Sequence, residues 1–112
     1  MADSFREEIT ELHAAICSSL ADPARILLLY ALAEAPRSVN ELAEYLNMPQ
    51  PTTSRHLKLL RQQSLVIGER DGLYINYRLV DERIIEALDL LRKILNDRLT
   101  YRASLVNDHK KS

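Results

Sequence analysis

The sequence predicts a mainly α-helical protein that carries one small β-hairpin. Apolar residues recur at helical spacing over most of the chain, which is the main signal for α-helices. Two glycines and 5% aromatic residues suit helices better than a large sheet. The stretch LVIGERDGLYINYRLV departs from helical spacing, because two runs rich in Leu, Val, Ile and Tyr flank Asp71-Gly72, a strong hairpin signal.

The composition is that of a globular protein. The chain has 112 residues, of which 46% are hydrophobic and 28% charged, so we expect a single domain over residues 1–112 with its core at 22–80. No apolar run reaches the roughly 18–20 residues of a membrane span. The acidic N-terminus MADSFREE lacks a signal-peptide pattern, so we expect a cytoplasmic protein without a membrane partner. A single cysteine, Cys17, excludes an internal disulfide.

Caps and apolar spacing predict the first two helices. Ser4 and Glu7 have the spacing of a capping box, and apolar residues follow at helical intervals as far as Leu20. Asp22 is a good N-cap for the next helix, and Pro23 suits its first position. That helix contains RILLLYALAEA, which is apolar nearly all round, so we expect it at the centre of the core.

Two shorter helices follow, joined by the turn NMPQP. Ser38 and Glu41 form a second capping box at the start of VNELAEYL. The next helix, in the stretch MPQPTTSRHLKLLRQQSLV, places Thr53, Leu57, Leu60 and Ser64 on one face. Its first turn is crowded with small hydrogen-bonding side chains, which a helix that only supports a core does not need.

The two outer helices have apolar seams that need partners. Asp81 caps a last helix from about Glu82 to about Val106, which at 1.5 Å per residue is roughly 35–40 Å long. The first helix covers about residues 4–20. A seam left in water forfeits about 25 cal/mol for each Å² of apolar surface. Both helices could fold back onto their own domain, although the last one is long for so small a core.

A helix, a tight turn, a second helix with a polar first turn and then a hairpin make a winged helix-turn-helix. Four motifs in this order resemble the ArsR/SmtB family of small transcriptional repressors: LADPARILLL, SVNELAEYL, SRHLKLLRQQSLV and DGLYINYRL. The resemblance covers roughly residues 16–95. It departs at Ser64, where the family usually has glycine. A left-handed backbone there would cost serine more than glycine.

The resemblance implies a sequence-specific repressor that binds a palindromic operator in double-stranded DNA and is released by an effector. The second helix of the motif would enter the major groove, where Gln can pair with adenine and Arg with guanine. Between residues 52 and 80, five Lys/Arg meet two Asp/Glu, a local basic patch that is compatible with nucleic acid. The residues expected to contact DNA are Gln50, Thr52, Ser54, Arg55, Lys58, Arg61 and, in the wing, Arg70.

These residues differ in the part of the DNA that each is expected to contact. Lys58 and Arg61 are expected at phosphates, and Arg70 at a phosphate or the minor groove. An ordinary solvated surface remains the alternative for these three. His56 lies nearer the edge of the core, so we interpret it as structural.

The family pairs its first and last helices across a twofold axis, so the resemblance implies a homodimer through the N- and C-terminal helices. A twofold dimer presents two recognition helices to successive major grooves. The expected interface residues are Phe5, Ile9, Leu12, Ile16, Leu88, Leu91, Leu95 and Leu99.

Many family members respond to metals or thiol chemistry, yet the known ligand positions hold unsuitable residues here. The thiolate and zinc positions that the resemblance identifies are occupied by Ser38, Asn40, Asp81, Arg83, Ile94 and Asp97. Ser38 and Asn40 are not soft ligands. At the zinc positions only the two carboxylates remain, and Arg83 would repel a cation, so we predict no bound metal or other cofactor. His13 and Cys17, at i and i+4, remain candidates for a metal or a thiol-reactive effector. A core position is the commoner case for cysteine.

Two other classes of function stand beside a repressor. A winged-helix module that binds protein, with no operator, is the alternative; its docking face would expose more apolar residues than this polar first turn. An enzyme is the third class. The sequence contains no phosphate-binding glycine loop, nucleophile elbow or carboxylate–histidine pattern, so we predict that the chain is not an enzyme.

Overall fold

The structure is a computed structural model that describes residues 2–111, with side chains described for residues 2–107. The described backbone falls into two compact units, one ending at Asp81 and one beginning at Glu82. No single helix among the described residues has the length and apolar character to cross a membrane. One bent pair, Asp3–Ser19 with Pro23–Glu34 at 82°, meets that test by length and composition.

The first helix, Asp3–Ser19, contains a π-helical segment that the sequence did not predict. The capping box predicted at Ser4 and Glu7 is wrong, because the N-cap is Ala2, without a side-chain cap. The amide of Arg6 already donates to the Ala2 carbonyl at 3.1 Å, so Ser4 lies inside the first turn. The three parts are α1 (Asp3–Glu7), the π-helical segment (Glu8–His13) and α2 (Ala14–Ser19).

The next helix, α3 (Pro23–Glu34), lies at the centre of the core, as predicted. The Asp22 carboxylate accepts a hydrogen bond from the Ala24 amide at 2.8 Å, which confirms Asp22 as the N-cap. Pro23 at the first helical position loses no hydrogen bond, since that amide has no partner within a helix. The buried residues of α3 are Leu28, Leu29, Ala31 and Leu32.

Helix α4 (Val39–Tyr45) begins with the predicted capping box. The Ser38 hydroxyl accepts from the Glu41 amide at 3.2 Å, and Glu41 Oε1 accepts from the Ser38 amide at 3.1 Å. The helix ends in a Schellman motif, because the Met48 amide donates to the Ala43 carbonyl at 2.8 Å. Asn47 takes the left-handed position, at φ 52°.

The second helix of the motif, α5 (Gln50–Gln62), ends in the same way. The Leu65 amide donates to the Leu60 carbonyl at 2.9 Å and the Ser64 amide to the Arg61 carbonyl at 3.0 Å. Ser64, which the sequence placed on the buried face of the helix, lies beyond its end in a left-handed conformation with φ 58°. Both helices of the motif thus end on a left-handed residue that is not glycine.

The wing is a three-stranded antiparallel sheet in the order β1 (Arg37–Ser38), β3 (Tyr74–Leu79) and β2 (Val66–Asp71). The predicted hairpin is present as β2 (Val66–Asp71) and β3 (Tyr74–Leu79). Asp71 pairs with Tyr74, so the two-residue turn is Gly72-Leu73. The predicted centre at Asp71-Gly72 was therefore one residue too early. Gly72 has φ +64°, as the first central residue of such a turn requires.

The third strand, β1 (Arg37–Ser38), was not predicted. It pairs with β3 through Arg37 opposite Tyr77 and Ser38 opposite Asn76. Ser38 therefore ends a strand and caps α4 at the same time. This double role holds the start of α4 against the wing.

The second unit consists of one long helix, α6 (Arg83–Lys111). It begins close to the predicted start at Glu82 and extends past the predicted end at Val106. Leu88 is buried, whereas Leu91, Leu95 and Leu99 are exposed.

Candidate nucleic-acid interface

Helix α5 has one buried face and one polar exposed face. Thr53, Leu57 and Leu60 are completely buried and hold the helix in the core. The opposite surface, which we call the reading face, has no Asp or Glu. It consists of Gln50, Ser54, Arg55, Lys58 and Arg61, all exposed, together with the half-buried Thr52. The partial positive charge of a helix N-terminus adds to these side chains, so the surface suits an anionic polymer.

Two of the threonines at the start of α5 have different roles. The Thr53 hydroxyl donates to the Pro49 carbonyl at 3.0 Å, so this buried polar group is satisfied within the protein. The Thr52 hydroxyl instead accepts from Arg55 Nη2 at 3.5 Å, at the surface. Thr52 therefore helps to orient the arginine, whereas Thr53 belongs to the core.

His56 faces the core edge, in agreement with its interpretation as structural. Its Nδ1 lies 3.4 Å from Nη1 of Arg25. Because a guanidinium can only donate, Nδ1 is the acceptor in this contact. Arg25 also donates through Nη2 to the Ser18 carbonyl at 3.3 Å and through Nε to the Ser19 carbonyl. One arginine on α3 thus joins the end of the first helix to the middle of α5.

The two arginines of the hairpin differ in their partners. Arg78 Nε lies 2.9 Å from Glu69 Oε1 in a surface ion pair. Arg70 stands opposite Ile75 and is exposed. Within the part of the chain that the structure describes, its guanidinium has no ion pair or hydrogen bond. Arg70 is therefore the wing arginine with a charge available to another molecule.

A cleft of about 310 Å³ opens where α4, α5 and the hairpin meet; we call it the hairpin cleft. Its polar lining consists of Asn40, Gln50, Ser54, Tyr74 and Tyr77 beside Ser38, which caps α4. An adjoining cavity of about 470 Å³ shares Asn40 and Tyr74 and adds Glu41, Asp71 and Asn76. The sequence did not predict a ligand contact at Tyr74 and pointed to Asn40 only as a metal position of the family, because the cleft joins three separate segments. The position of Tyr74 just after the hairpin turn was its one local signal.

Two ionisable groups near the wing have shifted pKa values. The Ser38 amide, which donates to Glu41, holds the pKa of that carboxyl below its ordinary value of 4.5. At the other end of α4, the Glu34 carboxylate accepts the Tyr45 hydroxyl at 2.7 Å and raises the pKa of Tyr45. Arg37 stacks over the same ring at 4.2 Å from its centroid. These contacts fix α4 to α3 and β1.

The residues at the family's metal positions do not fit a metal. The Ser38 hydroxyl is engaged as a helix cap, and Asn40 offers an amide instead of a thiolate. On the first helix, His13 Nε2 lies 3.4 Å from Glu8 Oε1, and Cys17 is exposed. No group of three or more His, Cys, Asp or Glu side chains able to hold a metal occurs among the described residues.

The expected dimer residues are mostly exposed in the single chain. Leu91, Leu95 and Leu99 on α6 have exposed fractions of 56%, 60% and 62%. Leu88, at 6%, has little surface left to offer a partner. On the first helix, Phe5, Ile9 and Leu12 are exposed and Ile16 is half-buried.

Comparison with known proteins identifies the family. A family model described as "Bacterial regulatory protein, arsR family" matches residues 22–67, from the cap of α3 into β2. Nodulation protein NolR of Rhizobium meliloti is 33% identical over 92 residues, which are 82% of this chain and 75% of NolR. The chain belongs to the ArsR family.

Other ArsR relatives agree with this assignment. HTH-type transcriptional repressor SmtB of Mycobacterium tuberculosis is 40% identical over 77 residues, 69% of this chain and 57% of SmtB. The chain thus spans about half the length of the first curated relatives it matches.

A solved structure confirms the predicted winged helix-turn-helix. The solution structure of a homodimeric winged helix-turn-helix DNA-binding domain, Mb0332 of Mycobacterium bovis, has a TM-score of 0.78 and 25% identity. The match covers 90% of this chain and 93% of that domain.

Proposed function

We propose that this ArsR-family protein is a cytoplasmic transcriptional repressor that binds a palindromic operator in double-stranded DNA as a homodimer and is released by an effector. The observation that carries the proposal is the division of α5 into a buried face and the reading face. Thr53, Leu57 and Leu60 are fully buried, so they fix the helix, and the polar surface is free for DNA. The proposal assigns no catalytic step to the chain.

The reading face suits the major groove chemically. A helix fits that groove, and its base edges present distinct patterns of donors and acceptors. Gln50 can bind adenine and Arg55 guanine, each through two hydrogen bonds. Ser54 and Thr52 have hydroxyls for bases or phosphates, and Lys58 and Arg61, further along α5, suit phosphates. Arg70 extends the same interface into the wing.

The dimer doubles this interface. Pairing through the exposed seams of the first helix and α6 would bury Leu91, Leu95 and Leu99. A twofold axis then requires a palindromic site with half-sites about 34–36 Å apart, one helical turn. Mb0332, similar in fold, is described as homodimeric, which supports this assembly.

The first helix holds the remaining candidate for an effector site. The donor sets at Ser38, Asn40 and on α6 do not fit a metal, so no release step is assigned to them. His13 and Cys17 lie one turn apart, and the Cys17 thiol is exposed to reagents. A metal or a thiol-reactive compound at this pair is the candidate release signal.

Selection of duplexes from a random-sequence pool, followed by footprinting of the DNA beside the protein's own gene, tests the proposal. We expect enrichment of a palindrome and protection of matching half-sites. Fluorescence anisotropy should then show tighter binding to the enriched duplex than to a scrambled one. Equal binding to both duplexes, or none, would favour a module that binds protein through the same surface.

A further inference from the structure

The hairpin cleft is polar but contains no positive charge. Its exposed polar side chains belong to Asn40, Gln50, Ser54 and Tyr74, and the buried Ser38 and Tyr77 also line it. Each can donate a hydrogen bond through an amide or a hydroxyl group. Within the part of the chain that the structure describes, none of the four exposed side chains has a hydrogen-bond partner. The cleft therefore presents several unused neutral donors to another molecule.

Apolar side chains complete the cleft on the wing side. Leu73 and Ile75 line it, and Leu73 is 97% exposed at the turn of the hairpin. Neutral donors next to apolar surface match a ligand that alternates anionic groups with apolar rings. A sugar-phosphate strand has this alternation, since each phosphate is followed by a deoxyribose.

The position of the hairpin cleft also matches such a strand. In duplex DNA, one sugar-phosphate strand separates each major groove from the adjoining minor groove. With the reading face of α5 in the major groove and the hairpin towards the adjoining minor groove, this strand has to pass between them. Gln50 and Ser54 belong to the reading face and also line the cleft, so the two surfaces are continuous.

We propose that the hairpin cleft binds this strand through neutral hydrogen bonds. The Tyr74 hydroxyl and the Asn40 amide donate to phosphate oxygens, and Leu73 and Ile75 pack against the adjacent sugar. Phosphate contacts of this kind position a protein on the duplex without reading its sequence. The inference rests on the proposed function and assigns the wing a role in placing the reading face.

The absence of cations from the cleft lining predicts how this contact responds to salt. Neutral donors displace no counterions, so their contribution to affinity leaves the salt dependence unchanged. Glu41 and Asp71 line the adjoining cavity, and their carboxylates repel a phosphate that moves in that direction. The strand is thus attracted by hydrogen bonds on one side and confined by negative charge on the other.

The test removes one oxygen from Tyr74. The probe is a duplex that the wild-type protein has enriched from a random-sequence pool, measured by anisotropy over a series of KCl concentrations. Tyr74→Phe is expected to weaken binding about tenfold, the effect of losing a hydrogen bond to a charged group. The slope of log affinity against log salt should stay at the wild-type value. Tyr101→Phe, the same change at an exposed tyrosine of α6, is the control and should bind as the wild type.

Two further variants make the test independent of one substitution. Asn40→Ala, on a different element, should show the same loss with the same unchanged slope. Asp71→Asn should bind both enriched and scrambled duplexes more tightly, because it removes a charge that repels phosphate. Circular dichroism establishes that each variant is folded.

The outcomes separate the cleft from the reading face. Tyr74→Phe and Asn40→Ala could bind as the wild type does while Arg55→Ala still loses discrimination. This result would overturn the proposed role of the hairpin cleft and leave the proposed function standing. A weaker affinity with a shallower salt slope would also overturn it, because that pattern belongs to a lost cation. An unchanged Asp71→Asn would place the strand elsewhere. A wild-type protein that enriches no duplex would overturn the proposed function and the cleft with it.

Discussion

Ser38 and Glu41 exchange two hydrogen bonds at the start of α4, one from each residue's amide to the other's side chain. The bond from the Ser38 amide lowers the pKa of the Glu41 carboxyl from its ordinary 4.5. A carboxyl whose folded pKa is depressed stabilises the fold above the unfolded value, and this stabilisation is lost as pH falls through the folded pKa. The capping box therefore predicts a pH-dependent contribution to the stability of the wing.

Acidification should consequently reduce the difference in stability between the wild type and Glu41→Gln. We expect the wild type to have the higher urea midpoint at neutral pH and the two midpoints to converge below about pH 4.5. Ser38→Ala should cost about 1 kcal/mol at neutral pH, because it removes the cap of the Glu41 amide. A constant difference between wild type and Glu41→Gln at all pH values would contradict the role of the charge.

Ser64 offers a simple stabilising substitution. Its φ of 58° is unfavourable for a residue with a side chain and normal for glycine. Ser64→Gly should raise the free energy of unfolding by about 1 kcal/mol. Ser64→Ala is the control at the same position, since it keeps the Cβ and should change stability little. If Ser64→Gly is no more stable than Ser64→Ala in urea unfolding, the left-handed backbone is not a source of strain.

Arg55 is expected to read a base, whereas Lys58 and Arg61 are expected to contact phosphate. Arg55→Ala should cost about 1–3 kcal/mol per half-site and relax discrimination at one base pair. Lys58→Ala or Arg61→Ala should weaken binding to enriched and scrambled duplexes alike and lower the salt slope by about one per contact. Anisotropy over a salt series separates these outcomes. Unaltered discrimination in Arg55→Ala would show that the reading face is not the surface that reads bases.

The exposed seam of α6 should join two chains. Replacing both Leu91 and Leu95 by Glu would bury unpaired charge in that contact, so the dimer should dissociate. Leu73→Glu, a matched change at the exposed turn of the hairpin, should leave the assembly unchanged. Light scattering at micromolar concentration gives the mass of each variant. A wild-type protein with the mass of one chain would contradict the proposed homodimer.

Zinc should not bind tightly at the positions used elsewhere in the family. Isothermal calorimetry with zinc is expected to show no nanomolar site, because Ser38 and Asn40 offer poor ligands. The same titration on Cys17→Ser distinguishes the remaining candidate. Tight binding that this change abolishes would assign the metal to His13 and Cys17, and tight binding that survives it would mean that the site lies elsewhere.

Local signals predicted the helices of the core and the hairpin. The Asp22 cap and the Ser38–Glu41 box depend on residues within three positions of each other, so they could be read directly from the sequence. The strand at Arg37 could not, because two residues show no periodicity and the pairing with Tyr77 spans a large part of the chain. The hairpin cleft was missed for the same reason. The box predicted at Ser4 had the right spacing, but the N-cap of the helix lies two residues earlier, at Ala2.

The separation of buried and exposed positions on α5 has an evolutionary consequence. Folding depends on Thr53, Leu57 and Leu60, whereas Ser54 and Arg55 contribute little to the core. Substitutions on the reading face should therefore change which DNA sequence is preferred while leaving stability nearly intact. A duplicated gene of this kind could acquire a new operator through a few surface changes, without first passing through an unfolded intermediate.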